Sequence, residues 1–350
     1  MPLTYDCNLN CEYCYVVKTK GGESPPFLNG FKAIDFLMRN NRHNRKAEII
    51  FVGGEPLLEW TRMKRLISYA RQAAKKMDVH IQTLGFPTNG LLLRQDILDF
   101  CKKEGIKIAV SLDGAQNKRK TANGRNSFTL LLKKLPLFYK YRDIIRIRMT
   151  IWPDYADQLI DNYKFFLKAG FTKIDIQPVI GVRWPSAKRD IYLKNLTDCF
   201  ESARVQPKNR SQAIEMKHLN DFFGDCIQEK GCPKIKEEFL ADLDGFIYPC
   251  EFFLSLPLQE RRKYAIGHVD KGVSLGLAEG YKKQRICGFG KVLPAVKKKC
   301  GSCVASRACY KICLGFNVGR KKFDRVIADE NWQLFREIEK IYTNYKDLAK

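Results

Sequence analysis

Cys7-Asn8-Leu9-Asn10-Cys11-Glu12-Tyr13-Cys14 sets three thiols at C-x3-C-x2-C spacing, directly after the short run Pro2-Leu3-Thr4-Tyr5. Three closely spaced thiolates can hold three irons of a [4Fe–4S] cube, leaving the fourth iron open to a substrate or cofactor. The same spacing also suits three of four ligands of a zinc site completed by a distant cysteine. Residues 2–5 read as a strand, which puts the thiols on the loop at its carboxyl end. The downstream chain decides between the two.

Helical and strand patterns alternate beyond this loop. Residues 31–45 carry Phe31, Ile34, Phe36, Leu37 and Met38 on a helical pattern, and Glu48-Ile49-Ile50-Phe51-Val52 is a strand that runs into Gly53-Gly54. Helices are predicted at 61–77, 94–104, 128–141 and 155–169, and strands at 79–84, 106–112, 145–151 and 173–178. Short apolar runs separated by amphipathic helices indicate parallel βα units. Counting 2–5, six strands make an α/β fold, a partial (β/α)6 barrel, in which chemistry collects at the carboxyl ends of the strands.

Beyond residue 180 the pattern changes. Helices are expected at 191–203 and 212–223, strands at 239–243 and 246–248 form a hairpin about Asp244-Gly245, and a last helix spans 330–348. The cysteines here read Cys226-x5-Cys232, Gly245-x4-Cys250, then Cys300-x2-Cys303-x5-Cys309-x3-Cys313, a last group whose spacing alone would equally serve zinc. The implied organisation is a barrel at 1–185, a helical bridge at 186–225 and a smaller cysteine-rich α+β unit at 226–350.

No apolar run reaches the roughly 18 residues of a membrane span, and residues 1–7 lack the features of a signal peptide, so the expected location is cytoplasmic. In that compartment 13 cysteines argue for metal ligation over disulfides, and with only 4 histidines the sites must be thiolate-rich. The net charge of +24 favours an anionic partner such as an acidic peptide, a nucleic acid or an acidic electron donor, or simply reflects lysine-rich helix faces.

Four motifs stand at consecutive strand ends: the C-x3-C-x-aromatic-C run, Gly53-Gly54-Glu55-Pro56, Thr88-Asn89-Gly90 and Ser111-Leu112-Asp113-Gly114. In this order they resemble the radical S-adenosylmethionine (SAM) superfamily, which sets the zinc reading aside. The resemblance implies that Cys7, Cys11 and Cys14 hold a [4Fe–4S] cluster with SAM on its open iron. Tyr13 would pack on adenine, the backbone at Gly53 and Gly54 would meet the methionyl amine, and Glu55 and Asn89 would also belong to the cofactor site. Ser111 and a basic residue, Arg125 first and Arg148 next, would hold the ribose or carboxylate. One-electron reduction would release a 5′-deoxyadenosyl radical that abstracts hydrogen from substrate.

The C-terminal cysteines resemble a SPASM domain, which holds two auxiliary [4Fe–4S] clusters. By that pattern Cys226, Cys232, Cys250 and Cys313 bind one cluster, and Cys300, Cys303 and Cys309 bind part of the other. This chain has no cysteine after Cys313, so Asp324, Asp329 or Glu330, or alternatively Cys287, would complete the second cluster, or one iron would stay open. Tyr248-Pro249-Cys250-Glu251-Phe252 resembles anaerobic sulfatase-maturating enzymes, which place an aspartate after the cysteine. Glu251 is therefore the candidate base, against the plain reading of a solvated hairpin residue. Cys101 and Cys199 read as core.

The subgroup implies a maturase of a peptide or protein, forming crosslinks, epimerising residues or oxidising Cys or Ser to formylglycine. A flavodoxin- or ferredoxin-type donor would serve as reductant. No leader-recognition domain is expected upstream of Cys7. The other classes are a zinc-bearing nucleic-acid module, which would be colourless, and a ferredoxin-like carrier, which would not bind SAM.

Overall fold

Every second residue of β6 (Ile145–Ile151) is an isoleucine or methionine buried to 3% exposure or less, whereas Arg146, Arg148 and Thr150 point to the opposite face. That period of two builds a sheet with an apolar back and a polar front. The computed structural model describes residues 1–16, 28–41, 43–204, 239–274, 276 and 325–345. The expected helix 212–223 and Cys226, Cys232, Cys287, Cys300, Cys303, Cys309 and Cys313 lie outside the described residues.

The barrel strands are β1 (Pro2–Thr4), β2 (Lys46–Ile50), β3 (Val52–Gly53), β4 (His80–Thr88), β5 (Lys107–Ser111), β6 and β7 (Ile174–Pro178). Five of them form a parallel sheet in the order β2-β4-β5-β6-β7. The single strand expected at 48–52 changes partners midway. Phe51 N donates to Gly85 O of β4 at 2.9 Å, while Val52 N donates to Met1 O at 2.8 Å, and β3 then pairs in parallel with β1. The run thus joins β1 to the sheet, giving the partial barrel its sixth strand position.

Helices α1 (Leu28–Asn40), α2 (Trp60–Met77), α3 (Gln95–Lys103), α4 (Ser127–Leu132), α5 (Leu135–Lys140), α6 (Leu159–Lys168) and α7 (Ser186–Arg204) follow the strands. In α2 the residues Met63, Leu66, Ile67, Ala70, Ala73 and Ala74 form one buried stripe. Asp78, left-handed at φ 54°, closes the helix with its N–H on Ala74 O and Lys75 O. The helix expected at 128–141 is two helices, and the one expected at 155–169 begins as a 3-10 turn, Pro153–Gln158. Cys101 and Cys199 are fully buried in the barrel core, in line with their place on amphipathic helices.

The second unit contributes a four-stranded antiparallel sheet in the order β11-β10-β9-β8, from β8 (Leu240–Ala241), β9 (Phe246–Tyr248), β10 (Gly267–His268) and β11 (Gly272–Val273). The β8–β9 hairpin turns at Gly245, whose φ of +86° a side chain would strain. After it come the one-turn helix α8 (Leu258–Arg261) and the long α9 (Arg325–Tyr345). Leu334, Phe335 and Ile338 of α9 belong to the barrel's core.

Candidate functional site

The three thiols occupy the loop after β1. Cys7 and Cys11 are part-buried and Cys14 is exposed. Leu9 N donates to Cys7 Sγ at 3.4 Å, and Cys14 N donates to Cys11 O at 3.2 Å, which tightens the loop. Burial pushes the Cys11 thiol up to about 11; Arg119 opposes this, while Cys14 and Cys7 add to it. The three therefore feel one another. Yet among the described residues no three His, Cys, Asp or Glu side chains converge as ligands of one ion. An all-thiolate set on one loop suits a [4Fe–4S] cluster, in which each thiolate binds its own iron.

The Gly-Gly-Glu stretch lies against this loop. A Cβ on Gly53 would stand 2.2 Å from Thr4 O, and one on Gly54 would stand 2.0 Å from Asp6 O. The glycines are thus required first by the close approach of β1, sealed by Gly54 N to Thr4 O at 2.9 Å and Glu55 N to Asp6 O at 2.8 Å. Glu55 follows the two glycines into the interior. It is 1% exposed, and its carboxylate accepts hydrogen bonds from Leu57 N (3.0 Å), Thr88 Oγ1 (2.7 Å) and Asn89 N (2.7 Å). It braces the third strand end against the second. Burial pushes its carboxyl up while the three donors pull it back. Asn89, so held, extends its amide to Asn8 Oδ1 at 2.6 Å and towards Cys7 Sγ at 3.8 Å.

A second cluster of contacts forms around Asp113, just past β5. Its carboxylate accepts from the Tyr13 hydroxyl, from Arg119 Nε at 2.7 Å and from Thr150 N at 2.9 Å. The Arg119 guanidinium lies over the Tyr13 ring, 5.2 Å from its centroid, and reaches Cys11 Sγ at 4.0 Å. Trp152 flanks Tyr13 at 6.2 Å between centroids. Tyr13 is therefore locked as an aromatic face beside the thiols.

Ser111 ends β5 and is 9% exposed, in register with Arg148 of β6, which pairs with Asp175 at 3.4 Å. Arg125 is not brought to this group. It is exposed, its backbone closing a turn with Thr121, so the guanidinium beside the thiols is Arg119. Asp113 and Arg119 are the site residues that motif reading missed. Asp113 lies inside the quoted Ser111–Gly114 run, but nothing local marks Arg119.

Cys250 and Glu251 are part-buried at the start of a 3-10 turn, Glu251–Ser255, beyond β9. Phe252 meets Tyr15, the residue after Cys14, at 5.4 Å between ring centroids. The Tyr15 hydroxyl lies in the field of Glu251, Cys14, Arg148 and Cys250, in that order of strength. The turn that begins at the one described cysteine of the second set thus touches the residue after Cys14. Glu330 is committed elsewhere, accepting from Arg183 Nε and Nη2 at 2.8 and 2.7 Å and from Trp184 N at 2.8 Å. It is not available as a cluster ligand. Among the described residues no helix is long and apolar enough to cross a membrane.

Residues 1–172 match the Radical SAM superfamily profile. An uncharacterized protein of Methanocaldococcus jannaschii is 27% identical over 177 residues, covering 50% of this chain and 59% of that protein's length. The cysteine-type anaerobic sulfatase-maturating enzyme of Clostridium novyi is 21% identical over 298 residues, covering 77% of this chain and 75% of its own. In fold, the chain superposes on anSMEcpe with bound AdoMet at a TM-score of 0.71 and 18% identity, over 99% of this chain and 98% of that one. Streptococcus suis SuiB bound to precursor peptide SuiA superposes at 0.59 and 15%, over 93% of this chain and 74% of that one. The thiol loop, the strand-end motifs and the half-barrel that presents them thus belong to a radical SAM domain at residues 1–172, and the chain shares the partial-barrel fold of anSMEcpe.

Proposed function

We propose that the chain is a maturase of a peptide or protein that uses SAM, a radical SAM [4Fe–4S] cluster on Cys7, Cys11 and Cys14, and one or two auxiliary clusters in its cysteine-rich segment. The observation that carries this reading is the Tyr15–Phe252 contact. It brings the turn that carries Cys250 and Glu251 against the residue after Cys14, and in this reading the thiol and the carboxylate face the first three thiols. An electron acceptor and a base facing the radical site are what oxidation of a substrate side chain requires. The peptide-bound structures of anSMEcpe and SuiB support the substrate class.

The residues fit SAM and its cluster. Bound SAM and its cluster would supply one-electron cleavage and a hydrogen-abstracting 5′-deoxyadenosyl radical. Tyr13, held by Asp113 and Arg119, offers adenine a fixed aromatic face. The backbone at Gly53 and Gly54 and the Asn89 amide would border the methionyl end, and Ser111, with Arg148 beside it, would take the ribose or carboxylate. Glu251 accepts the proton released as the substrate is oxidised. Cys226, Cys232 and Cys313 would join Cys250 on one auxiliary cluster, and Cys300, Cys303 and Cys309 would hold the other.

Formylglycine formation is the second reading, favoured by Glu251 directly following Cys250, where the sulfatase maturases carry an aspartate. The test is anaerobic incubation with SAM, dithionite and two peptide probes, a sulfatase-type Cys or Ser peptide and an acidic Cys-rich peptide. 5′-Deoxyadenosine should form above a Cys7→Ala control, and mass spectrometry should show either an aldehyde or a crosslink. 5′-Deoxyadenosine with neither probe altered would count against a peptide substrate. Iron analysis adds a count: about twelve irons per chain fits three cubes and about eight fits two.

A further inference from the structure

A buried charged triad joins the first barrel strand to the hairpin that leads to Cys250. Tyr5, Asp242 and Arg261 are 4%, 2% and 1% exposed. The Tyr5 hydroxyl donates to Asp242 Oδ1, and Arg261 Nη1 donates to Asp242 Oδ2 and to the Tyr5 oxygen, the latter at 3.1 Å. Arg261 Nη2 also donates to Leu256 O at 2.8 Å, and Leu243 N donates to Asp242 Oδ1 at 2.8 Å. The guanidinium lies over the Tyr5 ring, 5.1 Å from its centroid. A buried ion pair of this kind adds little net stability over apolar packing of the same volume, but it admits few geometries.

Its position is what matters. Tyr5 stands two residues before Cys7, and Val16 stands two residues after Cys14. Both pack into one apolar cluster with Leu240, Tyr248, Phe253 and Leu254 of the hairpin unit. The two ends of the three-thiol loop are therefore anchored in a core that the barrel does not build. Asp242 follows β8, and Cys250 stands two residues beyond β9. The hairpin unit thus links both ends of the three-thiol loop to Cys250.

We infer that Tyr5, Asp242 and Arg261 are positioning residues, through which the hairpin sets the pose of the three-thiol loop and so of SAM on its cluster. The inference rests on the loop being the radical SAM site and needs no peptide substrate, so its failure is separate from failure of the maturase reading. The experiment is electron paramagnetic resonance of the dithionite-reduced holoenzyme, titrated with SAM and without peptide. Tyr5→Phe keeps the ring but removes the link. Asp242→Asn combined with Arg261→Met removes both charges together and leaves neither unpaired.

Displacements of about 1 Å outside the chemistry can cost on the order of 100-fold. We expect folded, iron-replete variants whose apparent Kd for SAM rises about tenfold, with an altered SAM-induced change in the cluster spectrum. Wild-type spectra and SAM affinity in both variants, whatever their melting temperatures, would overturn the inference. If the paired variant does not fold, Tyr5→Phe and the charge-preserving Arg261→Lys carry the same measurement. Failure of all three to fold would also overturn it, by showing a role in stability alone.

Discussion

Glu55 and Arg119 are the two residues whose roles depend most on hydrogen-bond direction. Three donors converge on the buried Glu55 carboxylate, from Leu57, Thr88 and Asn89. A glutamine there must turn its own NH2 towards the backbone N–H of either Leu57 or Asn89. Glu55→Gln should therefore destabilise the protein by about 1–3 kcal/mol, read as a lower melting temperature. Unchanged melting would mean that the two strand ends do not depend on this brace. Arg119 uses its Nε on Asp113, its face on Tyr13 and its charge near Cys11. Lysine keeps only the charge. Arg119→Lys should retain iron but weaken SAM binding by about tenfold, the scale of one lost charge-assisted hydrogen bond. Calorimetric titration with SAM on the anaerobic protein measures it.

At the scale of elements, the joint between β1 and β3 positions the thiol loop. Gly54 has Asp6 O where a Cβ would go, at 2.0 Å, and only separation of the two backbones could relieve that. Gly54→Ala should push β1 outward, carry the thiol loop with it, and cost about four irons per chain by analysis. Full iron loading would show that the loop tolerates the shift. The strands themselves were legible because their apolar runs are short and local, and the thiol loop because three cysteines within eight residues form a local pattern. Other features escaped for a physical reason. The break between α4 and α5 depends on Pro136 at the start of α5 and on the Lys134 ammonium donating to Leu93 O at 2.7 Å, neither of which disturbs the apolar period. The Tyr13–Asp113 and Tyr5–Asp242 hydrogen bonds span 100 and 237 residues, and no windowed pattern can contain them.

Across the whole molecule, α9 returns to the loop after β7 and closes it. Asn331, 1% exposed, accepts from Gly181 N at 3.0 Å and donates to Val182 O at 2.7 Å, while Glu330 takes both arms of Arg183 and the Trp184 N–H. This clamp holds the end of the last barrel strand, and α9 begins directly after the segment that carries Cys300 to Cys313. Hydrogen bonding from Arg183, ahead of that from Trp184 N, holds the Glu330 carboxyl below its usual range. A depressed carboxyl contributes stability that is complete above its unfolded pKa of about 4.3 and is lost as pH falls through the folded value. Because Arg183 is more than half exposed, solvent screens the pair. Glu330→Gln should therefore cost only about 1 kcal/mol at neutral pH. Urea unfolding of wild type and variant, compared pairwise so that loss of an acid-labile cluster affects both, should show the gap closing as pH falls through the acid range below about 4.3. A gap of constant size across that range would place the stabilisation in the packing of Leu334, Phe335 and Ile338 and not in the ion pair.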